Sequence, residues 1–97
     1  MTYGDDEIDA AIERLAADVA ARSAQPEFPT DAMTECLQAL RRMEAARRSG
    51  DHAAAVVAAG DAAAGFDKYR PTNATSRAKA LLGEVIVAVL AHSALSG

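Results

Sequence analysis

Four arginines within eight residues, Arg41, Arg42, Arg47 and Arg48, form the densest anion-seeking set in this chain. Guanidinium forks match phosphates and carboxylates in bidentate fashion, so such a cluster can meet nucleic acid or an acidic partner. Arg41 and Arg48 share a helical face, Arg42 and Arg47 point elsewhere, and Glu44 lies between the pairs. Helix-dipole complementarity already accounts for Arg47 and Arg48 at a helix end. Other reactive groups are sparse. Cys36, His52 and His92 are the only thiol and imidazoles, and none has the Cys-x-x-Cys or His-x-x-x-His spacing of a metal pair. The run Asp5-Asp6-Glu7-x-Asp9 lacks the glycine and spacing of a calcium loop. No Gly-x-Gly-x-x-Gly, Walker-type loop or Gly-x-Ser-x-Gly elbow is present. The expectation is a non-catalytic protein with no cofactor and no metal.

Charge is unevenly placed along the 97 residues, whose net charge is −4. Residues 1–40 hold nine acids against two bases, and residues 41–97 hold eight bases against five acids. Two halves of opposite sign attract within one fold, or present a two-signed surface to a partner or another copy. Mean acidity disfavours a general nucleic-acid binder, because phosphate neutralisation dominates that affinity. A single cysteine suits a reducing compartment. The acidic start has no apolar h-region, so no secretory signal is expected. The longest apolar run, residues 80–91, is too short to span a bilayer and is interrupted by Glu84. A cytoplasmic protein with no membrane partner is the expectation.

The elements that position these groups read as helices. Ile8, Ile12, Leu15 and Val19 keep one narrow face, and Asp5 or Asp6 is expected to cap that helix. Pro26 and Pro29 stop it, and Phe28 between them is expected to plug a core edge. Met33, Cys36, Leu37, Leu40 and Met43 form the stripe of a second helix, which Gly50 terminates. Asp51 caps a third helix at once, so the second and third read as an antiparallel hairpin. The third is mostly alanine, and its small side chains permit close approach of another backbone. Phe66 and Tyr69 are expected to face the core near its end. The fourth, capped by Thr72-Asn73, carries Leu81, Leu82, Val85, Ile86, Val89 and Leu90 as packed positions. Val87 points to another side and adds apolar area to be covered. A strand reading of residues 85–90 fails, because no partner strand exists to satisfy its backbone.

Gly50-Asp51-His52, followed by Ala55 and Ala62, resembles the turn and second helix of a tetratricopeptide hairpin. In the preceding helix, Arg42, Met43 and Ala46 depart from that family's leucine, glycine and aromatic. The resemblance implies a peptide-binding helical scaffold, but one repeat is too few for a solenoid.

These readings converge on a small all-α four-helix bundle, with helices near 6–24, 31–48, 52–69 and 74–94 and the apolar C-terminal helix at its centre. A domain this small has a thin stability margin, so surplus apolar surface on the fourth helix favours a second copy as cover. The expected function is a protein–protein interaction module, homodimeric through the fourth helix and the small-residue face of the third. The alternative is a regulator that contacts nucleic acid through the arginine cluster, assisted by Arg77 and Lys79.

Overall fold

The computed structural model describes residues 4–96 as four helices and no strand. They are α1 (Asp5–Arg22), α2 (Thr30–Ser49), α3 (His52–Phe66) and α4 (Ser76–Ser96). The all-α four-helix bundle is the architecture the periodicity predicts. One detail differs. The helix contacts run α1 to α2, α2 to α3, α3 to α4 and α4 back to α1, so the bundle is a ring. Helix α4 is therefore one side of that ring, lying on α1 and α3, and is not a centre surrounded by the other three. The reason lies in the other helices. Each has an apolar stripe of its own, and the four stripes fill the middle together.

Ile8, Ile12, Leu15 and Val19 of α1 are all buried, as are Met33, Cys36, Leu40 and Met43 of α2. Helix α4 contributes Leu82, Val85 and Ile86, while Leu81, Val89 and Leu90 are partly buried against the same core. The α2–α3 seam is different in kind. Ala58, Ala59 and Ala62 are buried there, and a β-carbon on Gly65 would stand 3.3 Å from the Ala32 carbonyl oxygen and 3.3 Å from Cys36 Cβ. Small residues let the two backbones approach, which is the arrangement the alanine-rich sequence suggests.

The α2–α3 turn is closed by hydrogen bonds. Gly50 takes φ of 80°, its N–H reaches the Arg47 carbonyl, and the Asp51 N–H reaches the Ala46 carbonyl. That pair of bonds is the Schellman ending, which favours glycine because only it adopts this conformation without strain. The Asp51 side chain then accepts from the Ala54 N–H at 3.1 Å and caps α3.

Several helix ends differ from expectation by one to three residues, among them the end of α1 at Arg22 and that of α4 at Ser96. Gly4, not Asp5 or Asp6, takes the N-cap position of α1, and Asp6 falls inside the first turn, where the dipole favours an acid. Helix α3 stops at Phe66 rather than near 69, because Lys68 and Tyr69 turn tightly onto the Gly65 and Phe66 carbonyls. Helix α4 starts at Ser76 rather than 74, with Thr75 as the hub of the turn before it.

Candidate functional site

The arginine cluster lies along α2, facing acids on both neighbours. Arg41 reaches Glu13 of α1 at 2.6 Å, and Arg48 reaches Asp9 of α1 at 2.6 Å. Arg42 stands 3.7 Å from Asp61 of α3. Arg47 and Arg48 both clasp Glu44, at 2.8 and 3.0 Å, and Glu44 itself is only 3% exposed. A carboxylate that far from water needs such partners. A shallow groove between α1 and α2 is lined by Asp9, Glu13, Arg41, Glu44 and Arg48, whose charges are paired across it. The acidic first half and the basic second half of the sequence thus meet inside one fold. The structure does not gather the four arginines into one open basic patch.

Cys36 is buried, and its thiol donates to the Ala62 carbonyl at 3.3 Å. Burial pushes its pKa up to about 11, so little thiolate exists at neutral pH. That is the setting of a packing residue.

A second polar cluster escaped sequence reasoning. At the end of the bundle where α1 meets the α3–α4 connection, the Tyr69 hydroxyl donates to Asp18 at 2.5 Å and lies 3.0 Å from Thr75 Oγ1. Arg22 also grips Asp18, donates to the Arg70 carbonyl at 2.8 Å, and lies over the rings of Phe28 and Tyr69. Lys79 donates to the Tyr69 carbonyl at 2.7 Å. Burial pushes the Asp18 carboxyl up, yet the bonds from Arg22 and Tyr69 outweigh it and hold Asp18 below the usual carboxylate range. Burial, with Asp18 adjacent, raises the Tyr69 phenol. The hydroxyl, carboxylate and one terminal nitrogen of the guanidinium bond to one another, while the buried Arg22 Nε makes no hydrogen bond; the cluster ties the loop end together. The sequence signals the Asp18–Arg22 pair by its four-residue spacing, and marks Tyr69 as a core residue near the end of the third helix, with nothing to link the two.

The packed positions of α4 divide. Leu82, Val85 and Ile86 are buried in the bundle itself, and Leu81, Val89 and Leu90 are half-covered. Val87 is 65% exposed, as its divergent direction implied, and Val57 of α3 is 66% exposed. The antiparallel register sets His52 beside His92 and Phe66 beside Gly83, which brings Val57 level with Val87 on neighbouring helices. Around them the outer faces carry exposed Ala53, Gly60 and Ala64 on α3, and Ala80, Glu84 and Ala91 on α4. A β-carbon on Gly60 would meet nothing within 4 Å. Among the described residues no helix is long and apolar enough to cross a membrane.

No family model, curated protein or solved structure matches this chain. No family model supports the tetratricopeptide likeness of the α2–α3 turn and of α3, and the hairpin belongs to a closed ring.

Proposed function

We propose that this chain is a non-catalytic, cytoplasmic interaction module that self-associates through the outer faces of α3 and α4. The observation that carries this reading is the pair Val57 and Val87, wet on adjacent helices, with exposed Ala53, Gly60, Ala64, Ala80 and Ala91 about them and Glu84 the one charge among these. Exposed single apolar residues are ordinary, but small residues flanking a valine on each of two neighbouring helices suit close helix-on-helix packing. A two-fold partner would lay the same face against itself, each valine entering the low ground over Gly60 or Ala64 of the other copy. The arginines support a protein partner over nucleic acid, because phosphates would have to displace Glu13, Asp61, Glu44 and Asp9 from them.

Size-exclusion with light scattering at tens of micromolar should give twice the monomer mass. The variant V57D/V87D should run as a monomer with unchanged helicity, since neither side chain supports the core. A wild-type monomer at that concentration, or a dimer untouched by the two aspartates, overturns the reading.

A further inference from the structure

His52 and His92, the only two histidines in the chain, stand 40 residues apart in sequence and meet at one end of the bundle. Their ring centroids are 5.0 Å apart, with planes inclined at 44°. Both side chains are exposed, one at the first position of α3 and the other in the closing turns of α4. Zinc–nitrogen bonds of about 2.0–2.1 Å place a ring centroid about 3.2 Å from the ion, so two imidazoles on a tetrahedral ion lie about 5.2 Å apart. The observed separation is within a few tenths of an ångström of that spacing. Binding asks each ring to turn about its broad χ2 until a nitrogen of one faces the other, His92 exchanging the contact it makes without the ion for the metal bond. Imidazole is a ligand that suits zinc, copper and nickel and leaves magnesium or calcium to carboxylates.

We propose that His52 and His92 form a two-imidazole site for a divalent ion of the zinc class. Among the described residues no third histidine, cysteine or carboxylate completes a protein cage. Water therefore fills the other coordination positions, and the ion exchanges readily. Because the ligands come from α3 and α4, the bound ion ties the end of one helix to the start of the other. The site lies within one chain and is independent of the self-association reading.

The test is calorimetric titration of zinc chloride into chelator-stripped protein at neutral pH in a buffer that does not bind metal. One ion per chain is expected, with affinity falling at least about tenfold in each of H52Q and H92Q, as loss of a ligand requires. Zinc should also raise the melting temperature of the wild type and leave that of H92Q unmoved. Both residues are on the surface, so circular dichroism of the variants should match the parent. Absence of binding, retention of affinity in H52Q or H92Q, or competition by excess magnesium would overturn the proposal. The last two outcomes would place the ion on carboxylates.

Discussion

The two ends of the bundle are tied by polar contacts of opposite character. At the loop end, Tyr69, Asp18, Thr75 and Arg22 are joined and largely shielded from water, with the Arg22 guanidinium over the Phe28 ring. At the other end, Arg48 spans to Asp9, with its side chain 40% and that of Asp9 50% exposed. The two bonds are of similar length, 2.5 and 2.6 Å. Their surroundings decide their worth. An exposed ion pair is screened and costs side-chain entropy, whereas a buried hydroxyl or carboxylate left without its partner carries a full desolvation penalty.

That contrast is tested first by Tyr69→Phe. The ring stays and only the hydroxyl is lost, so stability at neutral pH should fall by about 1–3 kcal/mol in urea unfolding. The deficit should also depend on pH. Asp18 titrates lower when folded, so its contribution is present above the unfolded value of about 3.9 and is lost as pH falls through the folded one. Tyr69 titrates higher when folded, so its contribution is full below about pH 10 and is lost as pH rises through the folded value. Wild type and variant should therefore converge at both extremes. A gap constant from acid to alkali would show that the hydroxyl does nothing through Asp18.

Two glycines of α3 sharpen the comparison further. Gly65→Ala presses a β-carbon against the α2 backbone near the loop end and should destabilise by about 1–3 kcal/mol. Gly60→Ala meets open space within one chain and should stabilise the monomer by up to about 1 kcal/mol through helix propensity. Equal effects from the two would mean that the α2–α3 seam is looser than its distances imply. The smallest change is expected from Arg48→Ala. It should cost under about 1 kcal/mol and vanish in high salt, because Arg47 still covers Glu44. A loss as large as that of Tyr69→Phe would erase the difference between the ends.

Much of the architecture was legible because it is written in local periodicity. The α1 stripe, the Gly50 ending and the Asp51 cap each depend on steps of three to five positions along the chain. Partnerships between distant residues were not legible. Asp18 and Tyr69 are separated by 51 positions, and Arg48 and Asp9 by 39. Nothing in either neighbourhood names the other. The arginine run shows how this misleads: it reads as an anion site until α1 brings Asp9 and Glu13 alongside. The apolar run of α4 erred similarly in degree, since α1 and α3 cover more of it than its composition suggests, leaving Val87 as the large exposed side chain there. His52 and His92 carried no spacing signal at all, because only the antiparallel return of α4 beside α3 sets them together.

The seam that hides Cys36 turns that residue into a gauge. Its sulfur is covered by α3, so a thiol reagent added to native protein can register only those moments when the hairpin parts. The labelling rate in rising urea would then report how often, averaged over the population, the α2–α3 pair opens, with no fluorescent tag introduced.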